Sequence, residues 1–329
     1  MNKANRRRLW KLTKRTFSIA VLILLPVMLF LLFRSTDWDE VFKLLSEYRL
    51  STLLIGLAIS FASYAVFSSF DVFSRFYIRH PLPSARQMFG VAFVCNAFNL
   101  NLSSLVGGVA MRFRLYSRLG ISKPDIIRIL TFSVVTNWYG NLLLSGLLFT
   151  SGLPVLPQQW SVGRGGLQAI GVLLLALCAA YLLACRFSRR RSWGWKRYRL
   201  NFPSWRLALA QAVLGSSNWA LMALLLTVLL PDKASYPEVL ATLLVSSMAG
   251  LVLRVPAGLG VLETVFIAVL RDSFSRGTLF AALIGYRVLY CLIPLLLACV
   301  IYLWLERRAR VLKQQAEAKQ SNAETPSPS

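Results

Sequence analysis

Residues 237–270 are largely apolar until their centre. There Leu253-Arg254-Val255-Pro256-Ala257-Gly258-Leu259-Gly260-Val261-Leu262-Glu263 sets a proline, two glycines, a cation and an anion into the run. A chain in hydrocarbon tolerates such a break only where protein or water satisfies the freed backbone groups. Ionisable residues at that depth are functional candidates. A second break lies upstream, from Asn96-Ala97-Phe98-Asn99-Leu100-Asn101 to Gly107-Gly108, and is followed by Arg112 and Arg114. Paired broken segments in two halves of one chain point to a transport site at the tips of discontinuous helices.

The composition agrees with a membrane setting. Of 329 residues 56% are hydrophobic, and the mean hydropathy is +0.58. The predicted fold class is therefore an all-α integral membrane protein. The formal charge of +24 comes from cations that flank apolar segments, as in cytoplasmic loops, so no nucleic-acid partner is expected. The five cysteines (Cys95, Cys178, Cys185, Cys291 and Cys299) lie in apolar segments without a Cys-x-x-Cys, and His80 is the only histidine. Neither a disulfide framework nor a metal cluster or His-based triad follows from these. No cofactor is expected.

Apolar segments at 17–33, 51–74, 125–149, 167–185, 207–230 and 278–305 are long enough to cross a bilayer. Charge decides how the rest is threaded. If residues 88–105 crossed fully, the five cations of 112–128 and the eight of 186–206 would lie outside. If that segment enters and returns, both basic stretches are cytoplasmic. The loops 151–166 and 231–236, with one cation each, then lie outside, as the positive-inside rule prefers. Residues 261–270 rise about 15 Å as a helix, half of a hydrocarbon core of roughly 30 Å, so this arm can return from the midplane but cannot cross. The prediction is about six full transmembrane helices plus two re-entrant helical hairpins entering from opposite sides, as an inverted repeat requires. The chain divides into a basic cytoplasmic N-terminus at 1–16, a membrane domain at 17–305 and a polar cytoplasmic tail at 306–329. The membrane domain has a first half at 17–150 with its hairpin at 88–119. Its second half is 167–305, with its hairpin at 237–271. Ser122 and Pro124 are read as the start of the 125–149 helix.

Helix N-termini at broken tips present unpaired N–H groups that hold anions. Gly107, Gly108, Gly258 and Gly260 either let a ligand approach the backbone or allow close helix packing. Arg112, Arg114 and Arg254 either clamp a phosphodiester through the guanidinium fork or, for the first two, form an ordinary positive-inside flank. Arg254 alternatively pairs with Glu263. Glu263 itself binds a cationic headgroup, takes a proton, or pairs with Arg254 or Arg287. Asn96, Asn99 and Asn101 line a polar path or tie their hairpin to its neighbours. Asp71 is read as an i, i+4 partner of Arg75. Arg287 and Tyr290 share a face of the last span, ahead of Pro294, and Arg287 lies deep enough to need an acidic or phosphate partner.

Asn99-Leu100 to Gly107-Gly108, Arg112-Phe113-Arg114-Leu115-Tyr116, Pro256-x-Gly258-x-Gly260-x-x-Glu263 and Tyr286-Arg287-x-x-Tyr290-x-x-x-Pro294 resemble the transmembrane region of lysylphosphatidylglycerol synthases. The resemblance covers about residues 10–310 and adds Tyr116 and Pro256 to the candidate positions. It implies a flippase-like protein of the bacterial inner membrane that moves a phospholipid or lipid-linked headgroup between leaflets, with both termini cytoplasmic. In two-domain relatives a soluble domain attaches an amino acid from aminoacyl-tRNA to phosphatidylglycerol. No such domain follows residue 305 here, so translocation without an enzymatic step is expected. The alternative is a non-catalytic partner of a lipid-synthesis enzyme, docked through the aromatic and basic stretch 186–206.

Overall fold

A computed structural model describes residues 39, 43, 46–78, 82–101, 108–154, 163–187, 192–195, 198–231, 234–253 and 260–303. The predicted first span, 17–33, and the two termini lie outside these residues. The helices are α1 (Leu50–Tyr77), α2 (Ala85–Asn101), α3 (Met111–Arg118), α4 (Lys123–Thr150), α5 (Arg164–Phe187), α6 (Trp205–Leu229), α7 (Tyr236–Leu253), α8 (Val261–Leu270) and α9 (Arg276–Tyr286). The last of these runs on through a π-helical turn, Arg287–Leu292, so that a single apolar rod covers Arg276–Leu303. Between α5 and α6 the basic stretch forms a small antiparallel ribbon, β1 (Ser192–Trp195) with β2 (Tyr198–Asn201).

Among the described residues, five helices are long and apolar enough to cross a membrane: α1, α5, α6, α7 and the Arg276–Leu303 rod. Two helices differ from the sequence-based assignment. The predicted 125–149 span is a 28-residue helix, α4, but it is not among the five. Its centre, Thr136-Asn137-Trp138-Tyr139-Gly140-Asn141, is polar because it packs against other helices rather than lipid. Conversely α7, read as one arm of a hairpin, has a span's length and apolarity. The pairs α2/α3 and α7/α8 each pack one helix on the next. Their limits, 85–118 and 236–270, fall within a few residues of the predicted hairpins. Their tips, 102–107 and 254–259, lie outside the described residues.

Local chemistry accounts for the helix starts. Ser122, Ser204 and Ser275 stand in extended conformation ahead of α4, α6 and α9, and each side-chain oxygen accepts the N–H three residues on. This satisfies one of the donors a helix start leaves open. The Ser122–Pro124 start was legible beforehand.

The bundle encloses a row of polar groups within its apolar core and is apolar outside. Ser60, Ser63, Asp71, Thr136, Asn141, Gln211 and Asn218 are buried, whereas Leu54, Val172, Val213, Leu296 and Val300 are each more than half exposed. Such an apolar surface suits hydrocarbon rather than water. In lipid the interior polar groups also bond across helices instead of facing hydrocarbon. Helix α6 is the central strut, lying along α1 and α4. Its closest crossing is glycine on glycine. A Cβ on Gly140 of α4 would stand 2.1 Å from the Gly215 carbonyl carbon, and one on Gly215 of α6 would stand 2.2 Å from the Thr136 oxygen. At this crossing the two backbones touch.

Candidate functional site

Among the described residues, two ion pairs lie within the bundle, one buried at α3 and one half-buried at α8. The first joins α1, α2 and α3. Arg112 of α3 donates from Nε to Asp71 Oδ2 at 3.0 Å, and from Nη2 to Asp71 Oδ1 at 3.3 Å and to Asn96 Oδ1 at 2.7 Å. Its Nη1 reaches the Gly108 carbonyl at 3.2 Å. Tyr116, one turn beyond, donates its hydroxyl to Asp71 Oδ2 at 2.8 Å. Arg112 is 4% exposed and Asp71 not at all. The arrangement is the two-pronged guanidinium–carboxylate fork, and its remaining contacts satisfy most of a buried cation's donors. Asn96 must turn its oxygen to Arg112, because a guanidinium only donates. This leaves the buried Asn96 Nδ2 without a hydrogen-bond partner.

The second pair joins α8 to the last span. Arg287 donates from Nε to Glu263 Oε1 at 2.7 Å, and its Nη2 approaches the same oxygen. The other oxygen, Oε2, accepts the Gly260 N–H at 2.9 Å. Glu263 thus satisfies the Gly260 N–H at the start of α8 while it holds the arginine. Gly260 stands at φ +79°, a left-handed conformation in which a side chain would be strained. Its carbonyl accepts Thr264 Oγ1.

A π-helical turn ties α2 and α8 to the bundle. Pro294 has no N–H to offer the Tyr290 carbonyl. The N–H of Ile293 reaches past Leu289 to Val288. The carbonyls of residues 289 and 290 are therefore free of their usual helical partners, and α1 supplies replacements. Ser60 donates to Leu289 O at 2.8 Å and Tyr64 to Tyr290 O at 3.1 Å. Asn101, at the end of α2, donates to the next carbonyl, Cys291 O, at 3.1 Å. The Tyr290 hydroxyl donates to Ser63, which passes its own proton to Asn218 Oδ1 at 2.9 Å. One turn of helix thus contacts Glu263 through Arg287 and the first hairpin through Asn101. Asn101→Ala is expected to lower stability by about 1 kcal/mol and to speed amide hydrogen exchange across residues 287–292. Unchanged exchange there would show that the turn holds its shape without this tie.

Among the sequence-predicted positions, Asn96, Arg112 and Tyr116 meet in one cluster, and Gly260, Glu263 and Arg287 in another. Asn101 and Tyr290 belong to the turn that connects them. Gly108 lies against Asn99: a Cβ there would meet Asn99 Oδ1 at 2.7 Å. Arg114, two residues from Arg112, points elsewhere. It is exposed and stands over the Tyr302 ring at 5.5 Å. Gly107, Arg254, Pro256 and Gly258 lie outside the described residues. Asp71 does not form the pair read from sequence. It turns inward to Arg112, while Arg75 is exposed. The missed signal was a stripe on α1. Gly56, Ser60, Ser63, Tyr64, Ser68, Asp71 and Ser74 recur at helical spacing and are all buried.

The comparisons with known proteins agree with this picture. Residues 17–298 match the family model described as "Lysylphosphatidylglycerol synthase TM region". The chain is similar to the "Inner membrane protein YbhN" of Escherichia coli (strain K12). The two are 43% identical over 319 residues, which cover 97% of this chain and 99% of that protein. It is also similar to the "Uncharacterized protein slr0712" of Synechocystis sp., at 30% identity over 78% of this chain and 80% of that one.

Proposed function

The chain belongs to the family of the lysylphosphatidylglycerol synthase TM region, and from that premise we propose that it is an inner-membrane lipid translocator. A phospholipid headgroup, anionic or zwitterionic, moves between the leaflets along the polar interior while its acyl chains stay in the bilayer. The observation that carries this reading is the presence of two arginine–carboxylate clusters, the buried Arg112–Asp71 and the half-buried Arg287–Glu263, within a bundle whose outer surface is apolar. Ionisable groups at such depth mark substrate pathways, and hairpins entering from opposite sides give the two accesses that translocation needs.

Arg112 and Arg287 present forks that match a phosphodiester. Glu263 and the asparagines are placed to read the rest of the headgroup. Glu263 also fixes Arg287 and the start of α8 together, so movement of one hairpin is transmitted to the last span. Gly108 lies against Asn99 beside the first cluster, and Gly260 takes up the left-handed turn beside the second. Among the described residues, the aromatic and basic ribbon between α5 and α6 is the feature that would suit a partner enzyme, and it lies apart from both ion pairs in sequence.

The test is headgroup translocation in proteoliposomes containing the purified chain, with labelled phosphatidylglycerol, phosphatidylethanolamine and cardiolipin. The wild-type protein is expected to accelerate at least one of them. Arg112→Gln and Glu263→Gln are each expected to slow it by about a hundredfold, the loss of one charge-assisted contact of about 3 kcal/mol. Wild-type rates no faster than protein-free liposomes, with folding verified, would remove the translocator and favour a non-transporting partner of a lipid-synthesis enzyme.

A further inference from the structure

We infer that the first ion pair is a proton-exchange site: a lipid phosphodiester and one proton bind together, the phosphate replacing Asp71 on Arg112 while Asp71 takes the proton. This rests on the translocator reading and adds a co-substrate to it. The fork of Arg112 that matches two phosphate oxygens is the Nε/Nη2 edge, and in this structure that edge is fully used by Asp71. Asn96 and the Gly108 carbonyl occupy further donors. A phosphate can therefore reach the fork only by displacing the carboxylate.

Displacement leaves Asp71 with the Tyr116 hydroxyl alone, in a site with no exposure. An ionised carboxylate stranded there is strongly disfavoured. Protonation removes the charge. The step is H3O+ plus the Asp71 carboxylate giving water plus the carboxylic acid, and no other bond changes. The site is neutral before, as Arg+ with Asp−, and neutral after, as Arg+ with phosphodiester− and Asp–H. Asn96 contributes the second observation. Its Nδ2 is fully buried, lies beside Arg112 and has no hydrogen-bond partner, so it is a donor ready for an incoming anion.

Among the described residues, the elements packed around the pair supply no other counter-charge. The titratable groups that act on this pair are Tyr116 of α3 and Cys95 of α2. Helix α6 carries one charged residue, Arg206, which is exposed. The charges of α4 are Lys123 and Arg128 with Asp125, and Asp125 is held by Arg128 at 2.9 Å. Arg287 on the last span is held by Glu263. Arg75 of α1 is exposed. A cavity of about 590 Å³ opens between Gln87 at the start of α2 and Leu119, Gly120 and Ile121 after α3. Its walls flank Tyr116: Ile121 donates its N–H to the Tyr116 carbonyl, and the Met88 carbonyl, next to Gln87, is 3.4 Å from the Tyr116 hydroxyl.

Linkage fixes the sign. Because the bound state holds one more proton than the free state, affinity for the phosphate rises as pH falls, by up to about tenfold per unit. The experiment is calorimetric binding of dihexanoyl-phosphatidylglycerol to the full chain in detergent. It is run between about pH 6 and pH 8 in two buffers of different ionisation enthalpy, with dihexanoylglycerol, which lacks the phosphate, as control. Uptake of one proton per phospholipid bound, none with the control, and none in Asp71→Asn is the expected result. Binding of the phospholipid without proton uptake, or uptake that persists in Asp71→Asn, overturns the inference and leaves the translocator standing. Absence of phospholipid binding, together with absence of translocation in liposomes, overturns both.

Discussion

Replacing Asp71 with alanine is expected to destabilise the protein by about 3–5 kcal/mol, the usual range for breaking a buried ion pair from one side. The loss would come from Arg112 rather than from the missing carboxylate. With Asp71 gone, a guanidinium that is 4% exposed keeps its charge, and its remaining described acceptors are the neutral Asn96 and Gly108 oxygens. Tyr116 would lose its acceptor at the same time. The double variant Asp71→Ala/Arg112→Leu removes the charge that the single variant strands. It is expected to regain most of the stability while remaining inactive in translocation. Thermal unfolding in detergent checks this by the order of Tm values: wild type highest, the double variant next, Asp71→Ala lowest. A double variant no more stable than Asp71→Ala would mean that the buried charge is not what makes the single change harmful.

Gly140→Ala is expected to be comparably damaging, although it adds one methyl group and no charge. The new Cβ would lie 2.1 Å from the Gly215 carbonyl carbon and 2.3 Å from the Ser216 nitrogen. Both are backbone atoms, so no side chain can swing away. Helices α4 and α6 would have to separate, and α6 is also packed along α1. Overpacking of this kind costs about 1–3 kcal/mol and more where nothing yields. Gly90→Ala is the matched control, since nothing lies within 4 Å of a Cβ there. A fall in Tm for Gly140→Ala that leaves Gly90→Ala unmoved is the expected pattern. Equal Tm values for the two would show that the crossing is looser than these distances.

The limits of two helix pairs were legible because their signal is local. Proline, glycine and a charge inside an apolar run can be read without knowing any neighbour, and α2/α3 and α7/α8 begin and end within a few residues of the limits read that way. The start of α4 at Ser122 was legible for the same reason, since capping is settled within four residues. The pairing of charges was less legible. Glu263 had Arg254 and Arg287 as competing partners, nine and twenty-four residues away, and spacing does not choose between them. Asp71 was matched to Arg75 because sequence reasoning sees four-residue neighbours first. Its partner, Arg112, is forty-one residues away, on a helix that reaches Asp71 only by folding back.

The sequence by itself determined the solvent and the class of fold. Apolar length and the placement of cations leave a helical membrane protein as the consistent outcome, because backbone groups in hydrocarbon must be satisfied within the segment. It also located the start of α4, since a serine–proline cap is settled within a few residues. Only the tertiary structure decided which polar side chains meet. The stripe on α1 points inward because α6 and the first hairpin close over it. The carbonyls that Pro294 and the π turn leave unpaired are useful only because Ser60, Tyr64 and Asn101 are brought to them. The physical reason is the same in each case. A break in a helix is written in one residue's covalent chemistry, whereas a hydrogen bond or ion pair needs two groups within about 3 Å, and folding alone sets that distance.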